Sequence, residues 1–296
     1  MAEQAGPPGL LAIVSGRGDL PRQIAERRAA AGLPYLLIVF PDCFEEWMGA
    51  HPHEHHDFEK VGRLFKALRA ASATHVVFAG AMNRPKLRIW RLDLKAAGIA
   101  AKAIRLLGKG DDAMLRGFAA IFEAEGLTML GPRDILDASE ATVGPGPMGR
   151  LSPSGQDKSD AARAAQIVEA LGPLDVGQGA VVAGGVCLTV EAIEGTDLML
   201  ERLADLPAER RASCPPPSGV LFKGPKPDQD MRLDMPTIGP QTVSVAAEAG
   251  LNGIVVAASE TFVLDAASTR AAADKAGIFV YGATKEELTV WTAEPG

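Results

Sequence analysis

The sequence predicts an α/β fold, with an N-terminal Rossmann-like domain built on a parallel sheet and a C-terminal domain of mixed α/β type. Three observations lead there. The 296 residues are 47% hydrophobic but only 5% aromatic, with many Gly and Ala, a composition that lets helices lie close against a sheet. Short apolar runs of strand length alternate with amphipathic stretches of helix length along the chain. The first such unit, "LLAIVSGRGDLPRQIAERRAAAG", reads as strand, glycine turn and helix, and "PYLLIVF" follows at once as a second strand.

In that opening unit the turn falls at Gly16 and Gly18 and the helix ends near Gly32. A β-turn-α-β order begins a doubly wound parallel sheet, in which the start of the first helix can receive an anion. The turn departs from the dinucleotide fingerprint: Asp19-Leu20-Pro21 follows Gly18, so the third glycine is missing, and Arg17 projects a charge where clearance is usual. "VGRLFKALRAASA" reads as a helix and "THVVFAGAM" as a strand that runs out at Gly80, Asn83 and Arg84, the carboxyl end at which such sheets place ligands. "DDAMLRGFAAIFEAEG" is an amphipathic helix and "LTMLGP" a strand, giving four strands before residue 139. Gly, Pro and Ser are dense over 139–160, so the domains are expected at 1–145 and 161–296 with 146–160 as linker.

Beyond the linker a helix is expected from about Asp160 to Leu171. "DVGQGAVVAGGVCLTVEAIEGTD" holds two β-like runs turning at Gly184-Gly185, then a helix from Thr196 to Leu206. "GVLFKGP" is a strand, Thr242 to Ala249 a helix, "GIVVAAS" and "TFVLD" a strand pair, Ala266 to Ala276 a helix, and "IFVYGA" a last strand.

The net charge of -7 argues against a general nucleic-acid binder, which needs a basic face to neutralise phosphates. Three scattered cysteines, Cys43, Cys187 and Cys214, suit a reducing compartment better than a disulfide framework. The first apolar run is too short to span a bilayer, so the expected location is cytoplasmic, with any membrane contact peripheral.

Candidate chemistry begins with "KGPKPDQDMRLDMPTIGP", which sets Lys223, Lys226, Asp228, Asp230, Arg232 and Asp234 among four prolines. Prolines hold the residues between them in an extended or turning path, which suits a binding loop as well as a plain connector. Asp111-Asp112, Glu191, Glu194 and Asp197 are further carboxylates at element ends, and hard cations such as Mg2+ prefer such oxygens. Helix capping is the favoured reading of Asp111, Asp112, Thr196 and Asp197 taken as isolated pairs. It does not explain Asp234, because Pro236 follows so closely. "HPHEHHDFE" looks like a transition-metal tract, but its spacing fits no helical HxxxH pair, and it reads as a solvated surface loop. Eight basic residues between Arg84 and Lys109, interleaved with Ile89, Trp90, Leu92 and Leu94, face either solvent or an anionic amphiphile.

Several segments in order, "IVSGRGDLP", "FAGAMNRP", "KGDDAML", "DVGQGAVV", "VEAIEGTDLMLER" and "GVLFKGPKPDQDMRLDMPTIGPQTV", resemble the LpxI-type UDP-2,3-diacylglucosamine pyrophosphatases, over nearly the whole chain. The combination "GQGAVV", "EGTD" and "LDMPTIG" is the specific part. The resemblance implies hydrolysis of a lipid nucleotide to UMP and 2,3-diacylglucosamine 1-phosphate during lipid A synthesis, with a divalent cation, Mg2+ or Mn2+. It assigns catalysis to the aspartate of the Leu-Pro-Thr-Ile-Gly segment, here Asp234, with Met235 where leucine is usual. The hypothesis that follows has Asp234 bind the cation or position the attacking water, while Lys223 and Lys226 offset diphosphate charge. Asp197 and Asp111 are the next metal candidates. Gly16, Gly18, Gly80, Asn83, Gln178, Thr196, Lys226 and Thr237 are the substrate-binding candidates. A homodimer is compatible with the sequence. A non-catalytic lipid-nucleotide carrier is the competing reading, and the incomplete glycine fingerprint disfavours a nicotinamide-dependent oxidoreductase.

Overall fold

The computed structural model describes residues 5–82, 92, 93, 98, 111–136, 141–207 and 218–293, with 111–114 as backbone only. Asn83, Arg84, Cys214 and most of the basic stretch up to Lys109 lie outside the described residues. The chain divides into two compact units: Met1–Asp137 with Asp230–Asp234, and Ala138–Gln229 with Met235–Gly296.

The first unit holds β1 (Leu10–Ser15), α1 (Asp19–Ala30), β2 (Tyr35–Val39), β3 (His53–His55), α2 (Val61–Ala70), β4 (Ala73–Ala79), α3 (Asp111–Ala124) and β5 (Thr128–Leu130). Its strands are all parallel, in the order β3-β2-β1-β4-β5. Alternation along β1 serves both faces: Leu11 and Ile13 pack with Ile24 and Ala25 of α1, while Ala12 and Val14 join Leu64, Phe65 and Leu68 of α2 and Phe122 of α3. This is the doubly wound frame that the sequence predicts.

One departure concerns the histidine tract, which is an edge strand and not a loop. His53–His55 pairs with Leu37–Val39, and its ends are tied by bonds from Leu37 N–H to Pro52 O (2.9 Å) and from His56 N–H to Val39 O (3.0 Å). An edge strand can be built from polar residues because one side of it stays open to solvent. Its rings have local partners: Phe44 packs on His53 and His55, His51 bonds the Tyr35 hydroxyl, and His56 is buried against Glu54.

Arg28, near the end of α1, is buried and faces no carboxylate among the described residues. It donates to the carbonyls of Ala5, Pro7, Gly9 and Pro34, and so fastens the segment that leads into β1.

The second unit is a mixed sheet in the order β6-β13-β11-β9-β7-β8. Its elements are β6 (Gly146–Pro147), α4 (Gly155–Leu171), β7 (Gly179–Ala183), β8 (Val186–Val190), α5 (Thr196–Ala204), β9 (Val220–Lys223), β10 (Thr237–Ile238), α6 (Pro240–Glu248), β11 (Gly253–Ala257), β12 (Phe262–Val263), α7 (Ala266–Ala276), β13 (Phe279–Ala283) and α8 (Lys285–Ala293). Helices α4 and α8 supply Ala161, Ala164, Val168 and Trp291 to one apolar layer, and α5, α6 and α7 supply Met199, Leu203, Val243 and Ala273 to the other.

Two expectations are corrected here. Residues 146–160 are not a linker: Gly146–Pro147 pairs with β13, and Ser154 caps α4 through the Asp157 N–H, so the helix starts at Gly155. Gly, Pro and Ser there serve a strand end and a helix cap, which share their composition with loops. Nor do "GIVVAAS" and "TFVLD" pair with each other. β11 lies between β9 and β13, and β12 runs parallel to β10 in a separate two-stranded sheet. The turn at Gly184-Gly185 stands as expected. Both glycines have positive φ, and the buried Asp160 carboxylate accepts from their two N–H groups at 2.9 and 2.7 Å.

Candidate functional site

In the second unit the polar residues converge where β9 ends. Val220, Leu221 and Phe222 are buried apolar residues of a central strand, and the next position is Lys223, only 8% exposed. Its ammonium donates to Thr196 Oγ1, on the first residue of α5, and lies 3.8 Å from Oε1 of Glu191. That is an ion-pair distance and too long for a hydrogen bond. Glu191 follows β8 directly and is itself buried; its N–H donates to Gly179 O at 2.9 Å, while Oε2 has no hydrogen-bond partner among the described residues.

The glycines of "VGQGAVV" make room for this arrangement. A Cβ on Gly179 would stand 2.8 Å from Glu191 Oε2, and one on Gly177 would stand 2.1 Å from the Glu191 carbonyl oxygen. Between them, the Gln178 carbonyl accepts from Gly224 N–H at 3.1 Å, which ties the start of β7 to the end of β9. Asp197, second residue of α5, accepts from the Thr242 hydroxyl at 2.9 Å.

The proline loop distributes its charges unequally. Lys226 donates to Asp175, with both side chains largely buried, and its N–H is bonded to Gln229 Oε1 at 2.8 Å. A Cβ on Gly172 would lie 2.3 Å from Pro227 Cδ, so the loop rests closely on the turn after α4. Lys226 is therefore a matched charge, and Lys223 is the better placed of the two lysines to meet an anion. Thr237, at the start of β10, donates to the Met235 carbonyl at 3.0 Å.

Residues 230–234 belong to the first unit. Asp230 accepts from Arg232 Nε at 3.0 Å and Nη2 at 2.8 Å, a bidentate pair, and Arg232 also reaches Glu123 at 3.4 Å. The guanidinium holds the Asp230 carboxyl below the ordinary carboxylate value. Leu233 is buried in the layer formed by Phe65, Phe78 and Phe122, and this anchors the half-buried Asp234 beside it.

The loops after β1 and β4 are zipped together by paired bonds between Arg17 and Ala81 at 2.9 and 3.0 Å. Gly16 and Gly80 permit this approach: a Cβ on either would come within 2.5 Å of the other loop's backbone oxygens. Gly18 has φ 97° and open space around it. Arg17 does not enter the clearance above α1, because its Nε is bonded to Asp42 O at 2.8 Å. Glu45 sits there instead, accepting from Gly18 N–H at 3.2 Å and from the Trp47 indole at 2.7 Å. The helix start expected to receive an anion already carries a carboxylate.

Among the described residues no three His, Cys, Asp or Glu side chains are grouped to hold a metal ion. Of the metal candidates, Asp234 and Asp111 fall in the first unit and Asp197 in the second, and the Asp111 side chain lies outside the description. Asp230 is saturated by Arg232. Mg2+ is commonly held by one or two carboxylates and completed by substrate phosphate and water, so a preformed protein cage is not a requirement. Burial pushes the Cys43 thiol up, away from a nucleophile's range.

Structure thus joins Lys223 to Thr196 and Gly16 to Gly80, and pairs Lys226 off. Sequence reasoning named Glu191 only as a carboxylate at an element end and left out Gly177, Gly179, Asp175 and Glu45; the tight glycine spacing in "VGQG" was a signal for the two glycines.

A buried lysine at a strand's carboxyl end, next to a helix start, gives this α/β protein a place that can receive an anion. The particular family is LpxI, to which this chain belongs: the LpxI N-terminal domain matches residues 10–139 and the LpxI C-terminal domain residues 144–281. The chain is 38% identical over 277 residues to the UDP-2,3-diacylglucosamine pyrophosphatase LpxI of Caulobacter vibrioides, covering 94% of this chain and 98% of that one.

Proposed function

We propose that this protein hydrolyses the diphosphate of UDP-2,3-diacylglucosamine, giving UMP and 2,3-diacylglucosamine 1-phosphate in lipid A synthesis. The observation that carries this reading is the near end-to-end relationship to the Caulobacter pyrophosphatase. In the reaction one P–O bond of the diphosphate breaks and water supplies the oxygen and protons of the two phosphate products. The chain's own part is to bind charge, orient water and hold the reacting groups still. Lys223, backed by the start of α5, offsets phosphate charge. Asp234 would hold Mg2+ or Mn2+, which when bound supplies Lewis-acid stabilisation of the phosphate oxygens. The substrate carries two acyl chains, so the protein would meet it at the membrane surface from the cytoplasm; no described helix is long and apolar enough to cross a membrane.

The test is UMP release from UDP-2,3-diacylglucosamine by purified protein, with and without Mg2+ or Mn2+, beside Asp234→Asn. Release that needs both metal and Asp234 is expected. Tight binding of the lipid nucleotide without release would replace the enzyme by a carrier, and full turnover by Asp234→Asn would remove Asp234 from the chemistry.

A further inference from the structure

Lys223 stands in an electrostatically awkward position. It is buried, and it bonds the first residue of a nine-residue helix, whose N-terminal end carries partial positive charge. Two positive features side by side suit an incoming phosphate and are costly without one. Glu191 lies within ion-pair reach of the ammonium, yet it makes no hydrogen bond to it, and its Oε2 is buried with no hydrogen-bond partner among the described residues. Gly177 and Gly179 leave space for Glu191 at just this place. A carboxylate seated so carefully and bonded so incompletely does not act by fixing the lysine's geometry; Thr196 does that.

We infer that Glu191 is the built-in counter-ion of the Lys223 site, steadying it while empty and weakening its hold on anions. This rests on reading Lys223 as a phosphate contact. Glu191 offsets the buried ammonium when no ligand is present, since an unmatched buried charge is strongly destabilising. When a diphosphate arrives, the same carboxylate repels it at short range. The site therefore gives up affinity, which favours product departure.

Isothermal titration with inorganic diphosphate and thermal unfolding, on wild type, Glu191→Gln, Lys223→Met and the double variant Lys223→Met/Glu191→Met, test this. Glu191→Gln keeps the shape and removes the charge. It is expected to melt about 5–10 °C lower without ligand, to bind diphosphate about tenfold more tightly, and to recover most of the lost melting temperature once saturated. The double variant, with neither charge, is expected to melt above Glu191→Gln and to have lost diphosphate binding. Unchanged or weaker diphosphate binding by Glu191→Gln, or a double variant less stable than Glu191→Gln, overturns the counter-ion role. If instead wild type and Lys223→Met bind diphosphate equally, the reading of Lys223 falls first and the role of Glu191 with it.

Discussion

Arg28 offers the sharpest test of how the first unit is held. Its guanidinium is buried and donates to Ala5 O at 3.0 Å, Pro7 O at 2.9 Å, Gly9 O at 2.6 Å and Pro34 O at 2.9 Å. Burial lowers its pKa from the ordinary arginine value, because the charged form is taken out of water. Arg28→Met keeps the apolar stem and removes every donor. At about 1 kcal/mol net for each of the four bonds, less the relief of a buried charge, the loss comes to roughly 3 kcal/mol. For a unit of this size that lowers the melting temperature by about 6–12 °C. Arg28→Lys is expected to fall between, since an ammonium cannot span four carbonyls arranged for a planar fork. Differential scanning calorimetry reads the first effect, and amide exchange over residues 5–15 shows whether the loosening starts at the N-terminal segment. An Arg28→Met protein that melts within about 2 °C of wild type, with exchange unchanged, would refute the bond count as a source of stability.

Three further outcomes are expected. Gly16→Ala should weaken the first unit by about 2–4 kcal/mol, because its Cβ meets backbone oxygens that cannot swing aside, while Gly18→Ala meets open space and is strained only by its positive φ; urea unfolding of the two separates these causes. Glu45→Ala removes a carboxylate from the start of α1 and the acceptor of the Trp47 indole, so Trp47 emission should shift and UMP affinity rise; a fall in affinity would make Glu45 a ligand contact. Asp230 has its pKa lowered by Arg232, so the pair's stabilisation is complete above the ordinary value of 3.8 and is lost as pH falls through the lower folded value. Arg232 is about half exposed, so the contribution is only some tenths of a kcal/mol, and Asp230→Asn should flatten the acid limb of the stability curve by that small amount.

The sequence announced the fold wherever apolar periodicity was strong. Leu10–Ser15, Tyr35–Val39 and Ala73–Ala79 alternate or run apolar because both faces of their sheet are covered, and that pattern is visible in one dimension. It failed where composition and structure part company. His53–His55 is polar because an edge strand has one open side, and Gly146–Pro147 is too short and too rich in turn residues to be told from a loop. The pairing of β12 with β10 was unreadable for another reason: strand partners separated by a helix and a strand leave no local signal.

The proline loop shows the same limit at the level of charge. Its lysines and carboxylates look alike in sequence, and what separates them comes from distant residues. Asp175 neutralises Lys226 from the turn after α4, and Glu123 on α3 joins Asp230 in holding Arg232. Lys223, by contrast, meets a helix start and an incompletely bonded carboxylate, and Asp234 is carried on a buried leucine. The prolines hold the path; the partners decide which charges are spent. A residue whose charge is already matched by a close, buried partner has little left to offer a diphosphate, and on that ground Lys226 is a weaker candidate phosphate contact than Lys223.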